Sequence, residues 1–335
     1  MNWPPINIAL LGGTHGNERT GIIVLQQFIH NPDWLKSYST LSLIPVLANP
    51  RAAERNSRYI DCDLNRQFTQ SYPPLTNIST ALEEARRSGS YEVGRALEIQ
   101  EQIGAYTQPI SFLIDLHSTT SNMGLCLIIP RETPLSIHLC SLVLAEFPDS
   151  FVLCENVLPN EDNTSTHLAE EGLVLEIGPV PQGMAQPIPV QILQIAVRLI
   201  LQALHELIED HPSTAPPFPP TPELYKNRVV YRWGSSIDYP RDHLGLPRAM
   251  IHPDFMGKDG FPLEEGQALF LDAQGNTLRL EASDFIPQDL ILALRALRQK
   301  NESLVAFFIG EAAYLEKGIA FQVGYAPLYH KSQKT

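Results

Sequence analysis

Short apolar runs alternate with amphipathic stretches through the first 210 residues and stop at a segment crowded with proline, and few architectures satisfy that order. The runs are Ile6 to Leu11, Leu41 to Leu47, Ser111 to Leu116, Leu125 to Ile129 and Leu173 to Ile177. Between them lie helix-like stretches, among them Gly21 to Phe28, Glu92 to Gln102 and Ser136 to Phe147. Apolar strands that alternate with helices predict a largely parallel sheet covered on both faces, an α/β domain. Ile188 to Leu207 is the most apolar long segment, but Gln191, Gln194, Arg198, Gln202 and His205 fall on one helical stripe, so it is expected to pack on a core and not to span a bilayer. Each proline of His211 to Pro222 removes a backbone donor, which makes this stretch the expected linker between a first domain (1–210) and a second domain (223–335). Beyond it the pattern reads β-rich: Arg228 to Trp233, Gln267 to Asp272, a turn at Gln274-Gly275-Asn276, Thr277 to Leu280 and Leu304 to Ile309.

The net charge of -13 disfavours nucleic acid or an anionic membrane as the main partner. Cys62, Cys126, Cys140 and Cys154 stand far apart without a CxxC pair, which excludes a sequence-evident zinc ribbon and predicts reduced, mostly buried thiols in a cytoplasmic protein. The N-terminus lacks the basic and apolar regions of a secretory signal.

Residues suited to chemistry cluster where strands end. In Gly12-Gly13-Thr14-His15-Gly16-Asn17-Glu18 an imidazole and a carboxylate sit three residues apart after the first strand, able to reach one metal ion. His167 and Glu170 repeat this spacing, and the strand-end position favours His15 and Glu18. His117, after the run Ser111 to Leu116, supplies a third donor, and two histidines with one carboxylate leave a zinc ion an open position for water. Asp115, two residues before it, can face the same way and accept an imidazole N–H. Arg58-Tyr59-Ile60-Asp61-Cys62-Asp63-Leu64-Asn65-Arg66 combines two guanidinium groups and an amide, groups that grip carboxylates and polarise carbonyls. Glu176 lies inside an apolar strand, so it is exposed at a sheet edge or else paired with a metal or carrying a proton.

Taken together, these segments resemble the aspartoacylase family of zinc enzymes related to the metallocarboxypeptidases. The likeness rests on residues 12–18, 58–66 and 115–124, Glu-Ile-Gly-Pro-Val-Pro-Gln-Gly at 176–183 and Glu-Ala-Ala-Tyr at 311–314. It implies a zinc-carboxypeptidase-like fold whose smaller C-terminal domain contributes to the pocket. It implies one Zn2+ per subunit on His15, Glu18 and His117, Glu176 as general base, and Arg58 polarising the scissile carbonyl. Asn65 and Arg66 then hold a substrate carboxylate, and Tyr314 closes the pocket. The implied reaction is hydrolysis of N-acetylaspartate to acetate and aspartate by a homodimeric enzyme acting on a small anionic N-acyl amino acid. One departure bears on specificity: Thr166 stands where vertebrate aspartoacylases carry an arginine for the substrate's side-chain carboxylate. An apolar pocket in that region instead favours an aminoacylase for N-acetylated aromatic or other amino acids. A zinc-containing binding protein without turnover is the third alternative, and it would not need Glu176.

Overall fold

The computed structural model describes residues 6–31, 38–68, 87, 89–104, 110–155, 163–169, 171–210, 230–281, 286–300 and 302–327. The expected linker, 211–222, and Glu170 lie outside them.

A nine-stranded mixed sheet forms the frame. Its first half contains β1 (Ile6–Gly12), β2 (Leu41–Leu47), β3 (Ile110–Ser118), β4 (Gly124–Ile129), β5 (Phe151–Cys154) and β6 (Glu171–Gly178). β2, β1, β3 and β6 are mutually parallel, β4 runs antiparallel to β6, and β5 runs parallel to β4. The sheet then continues beyond the linker through β7 (Val230–Ile237), β12 (Phe321–Pro327) and β11 (Glu302–Phe307), in the order β11-β12-β7-β5-β4-β6-β3-β1-β2. The C-terminal segment thus extends the sheet of the first domain, a pairing between distant strands that no local pattern announces. A separate three-stranded sheet holds β8 (Ala249–Ile251), β9 (Ala268–Asp272) and β10 (Thr277–Arg279).

Six helices are described. They are α1 (Arg19–His30), α2 (Pro50–Arg55), α3 (Tyr91–Gly104), α4 (Pro134–Glu146), α5 (Pro187–Asp210) and α6 (Gln288–Gln299). Helix α6 falls in a region expected to be β-rich; its buried Leu290, Ile291 and Leu294 have the helical spacing that marks it. Helices α1, α4 and α5 cover one face of the sheet through a core that includes Val24, Leu25, Phe28, Leu139, Val143, Leu193, Val197 and Ile200. Helix α3 covers the other face with Ala96, Ile99 and Ile103. Helix α5 has the length and apolar composition to cross a membrane, yet half of that stretch is buried within the protein.

Strand alternation decides which side chains meet the site. On β3, Phe112, Ile114 and Leu116 enter the core under α1, α4 and α5, so Asp115 and His117 point to the opposite face. On β6, Leu173, Leu175 and Ile177 do the same, and Val174 and Glu176 share the face of His117.

Candidate active site

The site lies at the carboxyl ends of β1, β3 and β6, where open α/β sheets gather their ligands. The β1–α1 loop turns sharply through Gly13, whose φ is +72°, and passes so close to α2 that a Cβ on Gly16 would stand 2.1 Å from the Ala52 carbonyl carbon. This compression brings His15 and Glu18 beside His117 at the end of β3. Donor atoms of the three residues all lie within 4.8 Å of one another, and all three side chains are buried.

Their geometry is that of a centre built around a cation. The two Glu18 carboxylate oxygens face the two Nδ1 atoms, Oε1 at 2.6 Å from His15 and Oε2 at 3.0 Å from His117. Each imidazole has a carboxylate behind it. His15 Nε2 lies 3.0 Å from Asp63 Oδ1, and His117 Nε2 lies 3.0 Å from Asp115 Oδ2, off the ideal hydrogen-bond direction. Asp115 in turn accepts hydrogen bonds from the hydroxyls of Thr14 and Ser165. Burial alone would raise the Glu18 carboxyl, but the imidazoles of His15 and His117 outweigh it and hold the group well below the usual carboxylate range. Desolvation opposes the charged form of His117, yet Asp115 and Glu18 raise it well above an ordinary histidine. Two buried imidazoles and one buried carboxylate, each imidazole backed by a further carboxylate, make a donor set that suits a divalent cation.

The remaining expected residues line the same cleft, whose empty volume, mouth included, is about 740 Å³. Glu176 is directly in register with His117 on the neighbouring strand. It is not at a sheet edge: β6 lies between β3 and β4, and the side chain is buried. Burial, and then the charge of Glu18, push its carboxyl well above the ordinary value, so this group is able to hold a proton. Arg58 spans the cleft wall with Nη1 at 3.3 Å from Glu18 Oε1 and Nη2 at 3.3 Å from Asp63 Oδ2, while its buried Nε has no hydrogen-bond partner. Asn65 and Arg66 sit on a 3₁₀ turn, Leu64–Arg66, capped by Asp63. Asn65 Oδ1 accepts from Ser165 N–H at 3.0 Å, which leaves its amide nitrogen as the group able to serve a carboxylate. Tyr314 stands on the turn Ala312–Tyr314, and burial, then Glu176, push its phenol upward.

Several contributors are not evident from local sequence. Asp63 accepts from His15, Arg58 and Lys317, and so ties the first loop to the C-terminal segment. Glu311 latches Tyr314's turn onto the loop after β3, accepting from the Thr119 hydroxyl and from Thr120 N–H at 2.7 Å. Its place at the head of Glu-Ala-Ala-Tyr was the one available signal. Thr166 is buried beside Thr164, 2.9 Å between hydroxyls, and Thr164 rather than Thr166 lines the cleft. The lining includes the apolar side chains of Ile128, Leu153, Val174 and Phe308. His167 is buried on the turn Ser165–Leu168 and is not one of the three clustered donors.

Two buried imidazoles and a carboxylate at the strand-end rim of this fold make a candidate metal-dependent hydrolase centre. Residues 4–207 match the succinylglutamate desuccinylase/aspartoacylase catalytic domain, and residues 226–324 match the barrel-sandwich hybrid domain that accompanies it. The chain belongs to the succinylglutamate desuccinylase/aspartoacylase family. It is 33% identical to a probable aspartoacylase of Prochlorococcus marinus over 95% of this chain and 92% of that one. It is 31% identical to the N-acyl-aromatic-L-amino acid amidohydrolase (carboxylate-forming) of Homo sapiens, over 95% and 90% of the two chains. Murine aminoacylase 3 shares the architecture at a TM-score of 0.75 and 28% identity, covering 98% of this chain and 99% of that one.

Proposed function

We propose that this protein is a zinc-dependent deacylase of N-acyl amino acids that prefers a neutral, apolar side chain to that of aspartate. The observation that carries the reaction is the register of Glu176 with His117, which sets a buried carboxylate able to accept a proton against the His15, Glu18, His117 cluster. A non-catalytic metal binder has no use for such a group, because a buried carboxyl beside other acids is costly.

His15, Glu18 and His117 would hold the zinc ion, which would supply Lewis acidity and lower the pKa of water. The chain's own residues do the rest. Glu176 takes the proton of the attacking water and returns it to the departing amine nitrogen. Arg58, whose Nε lacks a partner, meets the charge that develops on the acyl oxygen. Arg66 and the Asn65 amide hold the substrate's α-carboxylate, and Tyr314 covers the site from the C-terminal segment.

Support for the side-chain preference comes from the charges around the cleft. A substrate such as N-acetylaspartate carries two carboxylates. Among the described residues Arg58 and Arg66 are the arginines in the lining, and Arg58 is already engaged by Glu18 and Asp63. The same lining holds Ile128, Leu153, Val174 and Phe308, side chains that accept an apolar group and offer nothing to a second carboxylate. Burying about 100 Å² of apolar substrate surface there contributes about 2.5 kcal/mol, or close to a hundredfold in specificity. Names among the relatives point both ways, to aspartoacylases and to an aromatic deacylase. The test is acetate release by zinc-loaded protein from N-acetylphenylalanine, N-acetyltyrosine and N-acetylaspartate. A kcat/KM that favours the aromatic substrates is expected; a preference for N-acetylaspartate would overturn the side-chain assignment, and release from none of a wider acyl panel would overturn the reaction.

A further inference from the structure

Glu92 is absent from the cleft lining and yet holds the loop that carries the cleft's arginines. It lies in the first turn of α3 with no exposed surface. Its Oε1 accepts from Ile60 N–H at 2.6 Å and from the Asn49 side-chain amide at 3.1 Å. Oε2 accepts from Asp61 N–H at 2.9 Å and from Cys62 N–H at 3.2 Å. Three consecutive backbone donors therefore converge on one carboxylate, the concave arrangement by which peptide chains bind anions. Arg58 stands two residues before this nest, and Asp63, Asn65 and Arg66 follow it directly.

The same carboxylate connects that loop to the metal-donor loop. Asn49, which donates to Glu92, gives its own N–H to the Gly13 carbonyl at 3.0 Å and caps α2 through Ala52 N–H. Gly16 N–H donates to the Arg58 carbonyl at 3.1 Å, closing the circuit from the other side. Asp61 returns the grip on α3 by accepting from Tyr91 N–H at 2.8 Å.

We propose that Glu92 is the positioning residue for substrate-carboxylate recognition, fixing the loop 58–66 against the His15–Glu18 loop through the Ile60, Asp61 and Cys62 amides. The kinetic part rests on the deacylase reading; the structural part does not. A carboxylate can accept at both oxygens, whereas a glutamine turns an NH2 group toward donors at one of them. The loop then loses its register, and displacements of about 1 Å in a binding group cost up to roughly a hundredfold.

The experiment compares full-length wild type with Glu92→Gln. Its first readout is the ratio of kcat/KM for an N-acyl amino acid to that for the same compound with its α-carboxylate converted to a carboxamide. That ratio is independent of how much protein is folded, so a role in stability alone leaves it unmoved. The second readout is amide hydrogen exchange over residues 58–66. The ratio is expected to fall about tenfold or more, with faster exchange at Ile60, Asp61 and Cys62 and unchanged exchange in β3. Unchanged exchange at those amides, or faster exchange with an unchanged ratio, overturns the proposal. Should Glu92→Gln fail to fold, Asp61→Ala removes only the reciprocal strut to Tyr91 and is expected to lower the ratio about two- to fivefold; an unmoved ratio in that variant overturns the proposal equally. Wild type that cleaves neither compound defeats the deacylase reading, while the exchange result still decides whether Glu92 holds the loop.

Discussion

Asp259 offers a quantitative check on the packing behind the site. It lies between β8 and β9, 7% exposed, where Oδ1 accepts from Ile309 N–H at 2.9 Å and Oδ2 is buried without a hydrogen-bond partner. Burial lifts its carboxyl from an ordinary 3.8 to about 6, against the lowering effect of the Ile309 N–H. Below both values the proton is bound in folded and unfolded chains alike. As pH rises through this window the unfolded chain releases its proton first, so the folded state binds more protons and stability falls. At about 1.4 kcal/mol per pH unit the full passage costs about 3 kcal/mol, of which about 2 kcal/mol falls between about pH 4.5 and pH 7.5. Asp259→Asn keeps an oxygen for Ile309 N–H and cannot ionise. Urea unfolding of both proteins at the two pH values should therefore show the variant gaining about 2 kcal/mol over wild type between them. Denaturant is preferable to heat at the lower pH because the isoelectric point is near 5.2. A difference between the proteins that does not change with pH, or that shrinks as pH rises, would refute the reasoning.

Three further outcomes concern the centre itself. Glu176→Gln should retain bound metal while losing about a hundred- to ten-thousandfold in kcat, as removal of a general base does; near-normal turnover would remove Glu176 from that role. In His15→Ala, metal content measured by elemental analysis and turnover should disappear together, and normal metal content would take His15 out of the centre. Arg66→Ala is expected to raise KM at least about tenfold with a smaller change in kcat, since its contact exists before and during reaction; an unaltered KM would place the substrate carboxylate elsewhere.

The eight residues singled out for chemistry line one cleft, and the reason is visible in their settings. His117 directly follows an apolar run, and His15 and Glu18 lie in the loop after another, so strand ends carry them to the same rim of a parallel sheet and the glycines of the first loop complete the approach. Period-two alternation likewise sets Asp115 on the face of His117. Glu92 was legible only as part of a helix, because its partners Ile60, Asp61 and Cys62 are about thirty residues away and are backbone groups, which leave no trace in side-chain pattern. Lys317 was hidden for the same reason, its partner Asp63 lying 254 residues earlier.

Residue order by itself determined the α/β class and the candidate donor residues, since hydrophobic period and strand-end position are local properties that survive any arrangement of the elements, and its motifs carried the resemblance to the family. Only tertiary structure decided that the C-terminal strands β7, β12 and β11 extend the same sheet, that Glu176 lies in its interior, and that Ile128, Leu153, Val174 and Phe308 share one cleft with Arg58 and Arg66. Those outcomes depend on which distant strands pair and in what register, and pairing is chosen by the free energy of the whole core, not by any stretch of chain read alone.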